Sequence, residues 1–501
     1  MIEWLEDKSD WLSPIVVKEV RQIVRSREFA FSFGGSLVAA LAVAFYGAAN
    51  ALGNANTTGG GTFVALMVCL TLLGMLVVPI GAFSALRNER MEQTLELVTV
   101  TALSPRRVVM GKLMAQAVKL VTLFAAMAPF ITMSFLLGGI DFVTIIVSLG
   151  VLFFWSVWAS AGFLFLSTLF KSRAMSGVVF GVAGIVAMFI FTMIRVPFFL
   201  MRGGVAVAGP TGRSDFWWTL AMVMSGCLMT TVNLVLLGEN RLSVETENRV
   251  TPLRVGFFAQ LLLIIGWGLT YLGEPAWSKE TAAQALGVIG GLHLAFVAMF
   301  TLTEDLHLPR RVLLQLRQPS RWGWRVVFFR PGGGRGAAYL LLQMLLLLAA
   351  TSLLSPSAMT MRWLFAICGY ICLFAGVPTL AWRVARPESQ QSFRLRAALL
   401  VVLMLALVLP DILYYLVKHP VTFDVVFGER HLVNPFRTLA NWSTVEVSGW
   451  LSAPLVLGMS GLVACLGLIL QGARVTAQQD VATTQASPAA DGESPSVDAV
   501  Y

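Results

Sequence analysis

Charged residues are scarce in this 501-residue chain: Asp, Glu, Lys and Arg make up 13% of it, whereas hydrophobic residues make up 57%. Soluble proteins carry about 25% charged residues. The apolar residues form runs of roughly 17 to 25 residues, which is the length that crosses about 30 Å of hydrocarbon at 1.5 Å per residue. The scarcity of charge therefore argues against a soluble protein and predicts an all-α, polytopic transmembrane protein.

Cysteine and histidine are also rare, with five and four residues. Every cysteine lies within an apolar run: Cys69, Cys227, Cys368, Cys372 and Cys465. We interpret them as small buried hydrophobic residues and not as disulfides or metal ligands. Cys368 and Cys372 are one helical turn apart, but no His, Asp or Glu completes a metal site around them. We therefore expect this chain to bind no metal and no cofactor.

Two kinds of short signal are missing. Residues 1–28 have mixed charge and no small-residue cleavage pattern before the first apolar run, so we expect that run to remain as a helix. The glycine-rich stretch GGGRG at 332–336 lacks the G-x-x-x-x-G-K-[ST] spacing of a phosphate loop, and no strand precedes it. We expect the chain to have no ATPase, and no enzymatic activity, of its own.

Twelve apolar runs are long enough to span a membrane. An even number of spans places both termini on the same side. They lie at about 29–49, 62–86, 113–137, 142–170, 174–194, 216–238, 255–273, 283–303, 338–354, 361–382, 397–417 and 450–471. With the N-terminus inside, 27 of the 36 Lys and Arg residues fall in inner segments. This positive-inside distribution predicts cytoplasmic termini and a multi-pass protein of the cell (inner) membrane. It also accounts for the net charge of +9, so we expect no nucleic-acid partner.

The chain divides by pattern into four parts. Residues 1–28 form a cytoplasmic or interfacial segment, 29–240 a six-span unit, 241–471 a second six-span region, and 472–501 a tail whose composition predicts disorder. The basic inner loop of the second region, residues 304–336, is explained by positive-inside topology, with binding of anionic lipid head groups as an alternative.

The first part contains an amphipathic pattern, SPIVVKEVRQIVRSREF at 13–29. Ser-Pro is a favourable helix start, and apolar residues then alternate with charged ones at helical spacing. We predict a basic amphipathic helix along the inner membrane face, or simply an anchor for the first span. Its candidate residues are Pro14, Lys18, Glu19, Arg21 and Arg25.

The second span leads into a polar elbow at 87–112. It contains a carboxylate-rich turn, a short apolar stripe and a Leu-Ser-Pro break that restarts a helix. Such an elbow suits a docking lever, and an ordinary solvated loop is the alternative. The candidate residues are Glu89, Glu92, Thr94, Leu95, Glu96, Leu103, Ser104 and Pro105.

These segments resemble permeases of ABC transporters of the ABC-2 type, the membrane subunits of type V exporters. Glu89, TLE at 94–96, TALS at 101–104 and GK at 111–112 are similar to that family's E-x(3–4)-G-T-L-E-x-L, T-P-L-S and G-K pattern. PIVVKEVR at 14–21 is similar to its N-P-I-x-x-K-E-x-R opening. The chain departs from the pattern at Ser13, Gln93 and Ala102. The resemblance covers roughly residues 11–240, and we find no second copy of the elbow.

The resemblance implies an exporter permease whose elbow contacts a separate cytoplasmic ABC ATPase, so that ATP acts only through that partner. It also implies a homodimer or a pairing with a second permease, in contact with membrane lipids. Two alternatives stay open: a polytopic membrane enzyme acting on lipid-linked substrates, and a non-transporting membrane scaffold. The enzyme would need paired carboxylates or His at a membrane face, which only the predicted outer loop 418–449 could supply, with Asp424, Glu429 and His431.

Few ionisable residues lie within the predicted spans. Lys119, His293 and Asp411 are the clearest cases. Charges are costly inside a bilayer and can mark a transport path, but each of these three also has a structural explanation. We expect Lys119 to reach toward the inner interface, His293 to be neutral and Asp411 to reach the outer surface.

Overall fold

All described elements are helical in the computed structural model of the chain. It describes residues 14–51, 58–91, 105–138, 140–169, 214–243, 247–270, 278–317, 328–354, 356–386, 394–406, 432–447 and 452–485. Within these ranges no strand occurs, and ten helices are long and apolar enough to cross a membrane. The all-α, polytopic membrane prediction is confirmed. Of the two other predicted spans, 174–194 lies outside the described residues and 397–417 is described, as helix, only up to residue 406.

The chain forms two compact units, residues 1–243 and 244–501. The helices of the first unit are α1 (Pro14–Val24), α2 (Arg27–Ala51), α3 (Thr58–Leu72), α4 (Val78–Met91), α5 (Pro105–Leu136), α6 (Phe142–Leu169) and α7 (Ser214–Leu242). A π-helical turn, Leu73–Val77, joins α3 to α4 and makes them one continuous span. A helix is thus present where the amphipathic pattern predicts one.

The π-helical turn of the first unit has a local cause. Pro79 has no N–H to donate to the carbonyl four residues back, so the helix widens just before it. The Val78 N–H bonds instead to the Leu73 carbonyl. The buried Ser156 hydroxyl of α6 donates to the Gly74 carbonyl at 2.5 Å. Because a neighbouring helix supplies this donor, the irregular backbone is tolerated at membrane depth.

Helix α6 has a clear N-terminal cap. The side chain of Asp141 accepts hydrogen bonds from the backbone N–H of Thr144 at 2.8 Å and from its hydroxyl at 2.6 Å. Burial raises the pKa of Asp141, but these hydrogen bonds outweigh that effect and leave the pKa below its usual value. The ionised form is therefore the one that caps the helix.

The second unit has more described helices than the first. They are α8 (Val250–Thr270), α9 (Lys279–Thr301), α10 (Arg310–Arg317), α11 (Gly333–Ser352), α12 (Ala358–Ile371), α13 (Val377–Ala385), α14 (394–406), α15 (Pro435–Ala440), α16 (Trp442–Val447) and α17 (Ser452–Gln485). A second π-helical turn, Cys372–Gly376, joins α12 to α13 just before Pro378. Ser278, Ser357 and Asn434 cap α9, α12 and α15 by accepting backbone hydrogen bonds.

Helix α17 packs unusually closely against its neighbours. A Cβ added at Gly458 would lie 3.0 Å from the Cα of Gly369, and one added at Gly334 would lie 2.7 Å from the Cα of Gly472. Glycine permits this approach because it has no side chain, as is common between membrane helices. The helix continues to Gln485, so residues 472–485 are helical where composition predicts a disordered tail; residues 486–501 lie outside the described ranges.

Candidate coupling site

Three charged side chains from separate segments of the first unit meet at one point. Lys112 of α5 donates a hydrogen bond from Nζ to Oε1 of Glu19 of α1 at 2.9 Å, and its Nζ lies 2.9 Å from Oε1 of Glu89 of α4. The side chains of Lys112 and Glu19 are 2% and 6% exposed, and that of Glu89 is 22% exposed. We call these three residues the Lys112 cluster.

Helix α1 contributes to the cluster through the face that packs on α5. Val16 and Glu19, one turn apart, are buried, while Lys18, Arg21 and Arg25 are exposed. Glu19 is one of the charged residues of the amphipathic pattern, yet it is buried among the apolar residues of α1. The reason is that Lys112 presents a cation to the apolar face of α1, and a buried lysine requires a carboxylate partner.

The charges of the cluster do not balance. One ammonium faces two carboxylates, so the cluster carries a net charge of minus one when all three groups are ionised. Breaking a buried pair by removing one partner typically costs about 3–5 kcal/mol, because the other charge stays uncompensated. Lys112 is shared by both carboxylates, so the cluster depends on it more than on either glutamate.

A second polar contact fixes the end of α4. Arg90 donates from Nη1 to the carbonyl oxygens of Ser167 and Thr168 at 3.0 and 2.6 Å. These carbonyls belong to the last described turn of α6. The end of α4 is thus tied to α1 and α5 through Glu89 and to α6 through Arg90.

An apolar layer lies among the same helices. Its members come from α4, α5, α6 and α7 and are buried: Ala82, Leu86, Val109, Leu113, Ala161, Leu164 and Val235. The polar contacts and this layer together make the end of the first unit one packed assembly.

The predicted elbow is described only at its two ends. Helix α4 ends at Met91, two residues after Glu89, and α5 begins at Pro105, where the sequence predicts a helix restart. The central elbow candidates Glu92, Thr94, Leu95, Glu96, Leu103 and Ser104 lie outside the described residues. Pro14 is the first residue of α1. Lys112 belongs to the G-K motif, but nothing local in the sequence distinguishes it as a site residue; its contacts with Glu19 and Glu89 do.

Polar side chains also occur deeper within the spans. Lys119 and Gln116 of α5 are buried. The position of Lys119 in the sequence predicts that it reaches toward the inner interface, but its side chain lies inside the first unit. In the second unit the His293 ring lies 3.3 Å from Oε1 of Gln343. Asp411 and the three enzyme candidates Asp424, Glu429 and His431 lie outside the described residues. Among the residues that are described, no three His, Cys, Asp or Glu side chains form a group that could hold a metal ion.

The second unit has an ion pair that sequence reasoning missed. Arg254 of α8 is fully buried and makes a two-pronged contact with Glu304, which follows α9. Its guanidinium also donates to the carbonyls of Phe328 and Arg330, both at 2.7 Å. Burial raises the pKa of Glu304, and the facing guanidinium opposes that shift. In the sequence Arg254 is one basic residue among several at the start of a span, so nothing local distinguishes it.

Comparison with known proteins adds no relative: no family model matches the chain, and neither a curated protein nor a solved structure does.

Proposed function

We propose that this chain is the membrane-spanning permease subunit of an ABC transporter, an exporter driven by a separate cytoplasmic ATPase. The Lys112 cluster is the observation that carries this proposal. Glu19, Glu89 and Lys112 belong to three of the stretches that resemble the ABC-2 pattern, and both carboxylates lie within hydrogen-bonding distance of the Lys112 ammonium. A chance match of short sequence patterns would not lead us to expect that Glu19 and Glu89 both pair with the Lys112 ammonium.

The cluster gives the elbow a mechanical connection. Glu89 precedes the segment 92–104 and Lys112 follows it, so their ion pair closes the base of the elbow. The Glu19–Lys112 pair adds α1 to the same point. A force applied to the elbow by an ATPase would therefore move α1, α4 and α5 together, and the apolar layer would pass the movement to α6 and α7.

In this proposal the cluster lies at the cytoplasmic side of the cell membrane. The positive-inside distribution supports that orientation. Lys18, Arg21 and Arg25 are exposed along α1, and basic residues near anionic lipid contribute about 1 kcal/mol each. Helix α1 would then lie at the interface between lipid and cytoplasm, beside the docked ATPase. Two copies of this chain, or this chain and a second permease, would form the transport path between them.

The proposal is tested by co-purification. The tagged full-length chain is extracted from its native membrane in mild detergent and compared with the double variant Thr94→Lys, Glu96→Lys. We expect wild type to retain a second subunit that contains a G-x-x-x-x-G-K-[ST] phosphate loop, identified by mass spectrometry. The purified complex should hydrolyse ATP. The double variant should lose both the subunit and the hydrolysis, because two lysines replace the groups proposed to contact the ATPase.

The control is Glu247→Lys, which reverses an exposed acidic residue outside the elbow. It should retain the ATPase as wild type does. Absence of an ATPase subunit from wild type, or its equal loss from the control, would contradict the proposal.

A further inference from the structure

Three sulfur atoms meet in the interior of the second unit. Sγ of Cys372 lies 3.6 Å from Sδ of Met344. Sγ of Cys465 packs against Gly376, one helical turn after Cys372. Cys372 and Cys465 are fully buried, and Met344 is 3% exposed. Cys368, one helical turn before Cys372, is also buried. Met344 belongs to α11, Cys372 to the π-helical turn after α12, and Cys465 to α17.

Irregular backbone and close helix packing create this arrangement. Cys372 is the first residue of the π-helical turn, and such turns re-aim side chains and are frequent at functional sites. A Cβ added at Gly376 would lie 2.9 Å from Sγ of Cys465, and one added at Gly461 would lie 2.6 Å from the carbonyl carbon of Cys372. The two glycines therefore allow α17 to approach the turn until its cysteine reaches the other sulfur atoms.

Ordinary packing accounts less well for these residues than for the other cysteines. Cys69 and Cys227 are only partly buried, as expected of small hydrophobic residues. Cys372 and Cys465 are 93 positions apart in the chain, yet α17 brings Cys465 beside the turn that contains Cys372, and the Met344 thioether contacts the same turn. This is a set of soft ligands contributed by three separate helices.

We propose that Met344, Cys372 and Cys465 form a binding site for Cu(I). Thiolate and thioether ligands select Cu(I) among the biological metals, whereas a structural zinc site requires four ligands. With metal–sulfur bonds of about 2.3 Å, two ligands of one ion lie at most about 4.6 Å apart, and the Cys372–Met344 separation of 3.6 Å satisfies that limit.

Binding of Cu(I) releases the protons of the two thiols, because the thiolate and not the thiol is the metal ligand. The loaded site would hold one Cu(I) between two thiolates and a neutral thioether. Cys368, one turn away, would provide a further sulfur at the edge of the site.

The test is Cu(I) retention by the purified full-length chain. The protein is loaded anaerobically with Cu(I) under reducing conditions and challenged with the chelator bicinchoninate. We expect wild type to retain one Cu(I) per chain, and Cys372→Ser and Cys465→Ser to lose it. The matched controls Cys69→Ser and Cys227→Ser remove a cysteine elsewhere and should retain copper as wild type does.

X-ray absorption on copper-loaded wild type supplies a measurement that depends on no variant. Three sulfur ligands are expected, falling to two in Met344→Leu. Failure of wild type to retain copper, coordination by nitrogen or oxygen, or equal loss from the two controls would overturn the site. The experiment involves no ATPase, so its outcome is independent of the coupling proposal.

Discussion

Replacing Lys112 by methionine is the most direct test of the buried cluster. Methionine keeps much of the length and the apolar stem of lysine but removes the ammonium that Glu19 and Glu89 share. The almost fully buried Glu19 carboxylate would then lose the ammonium that donates a hydrogen bond to it. We expect the first unit to lose about 3–5 kcal/mol of stability. For a unit of about 150–250 residues this corresponds to a fall in Tm of about 6 to 20 °C.

The two glutamates should behave differently from the lysine. Glu19→Gln removes one negative charge, keeps a hydrogen-bond acceptor for Lys112, and leaves a balanced pair with Glu89. We therefore expect it to change stability by less than about 1 kcal/mol. In Lys112→Met the same Glu19→Gln change should recover part of the lost stability, because it removes the repulsion between the carboxylates.

The assay is thermal unfolding of the full-length chain in mild detergent at neutral pH. Arg107→Met serves as the matched control, because Arg107 is an exposed basic residue near the start of the same helix. The reasoning is refuted if Lys112→Met and Arg107→Met unfold at the same temperature, or if Glu19→Gln lowers stability further in the Lys112→Met background.

Three other predictions concern stability and use the same unfolding assay. Arg254→Met should cost about 3–5 kcal/mol, because it removes the guanidinium that pairs with the Glu304 carboxylate and donates to the carbonyls of Phe328 and Arg330; an unchanged Tm would contradict this. Gly336→Ala should destabilise the second unit, since its Cβ would overlap a backbone carbonyl, whereas Gly266→Ala, with open space around it, should not. Asp141→Asn should cost about 1 kcal/mol or less at neutral pH. Because the native pKa of Asp141 is lowered, its stabilisation is present at neutral pH and is lost as pH falls below about 4, and this loss should be absent from the variant.

Local sequence was sufficient for the membrane helices. Long apolar runs predict spans because length and hydrophobicity alone decide whether a helix can cross a bilayer. The helix at Pro14–Val24 and the start of α5 at Pro105 follow from proline chemistry and periodicity, which are also local. The extension of α17 to Gln485 was missed because composition measures the tendency to disorder without measuring how a preceding helix continues.

Long-range pairing was not predictable in the same way. The burial of Glu19 depends on Lys112, 93 positions away, and the role of Arg254 depends on Glu304, 50 positions away. In the sequence Cys372 has only Cys368 nearby, but in the structure Met344 and Cys465 reach the turn that contains Cys372 from other helices. A single sequence contains the residue types of such sites without the contacts that assemble them.

The position of charge along the helices gives the coupling proposal its physical basis. Within the spans, most hydroxyl groups bond to carbonyls of their own helix, as Thr71 does to Met67 and Ser160 does to Ser156, and such bonds do not link one helix to another. The Lys112 cluster instead links different helices, because Lys112 of α5 pairs with Glu19 of α1 and Glu89 of α4. Apolar packing along the spans tolerates small sliding movements, whereas an ion pair with little access to water resists separation. A force applied beside the Lys112 cluster would therefore move the three joined helices as one body, which is the property that a coupling elbow requires.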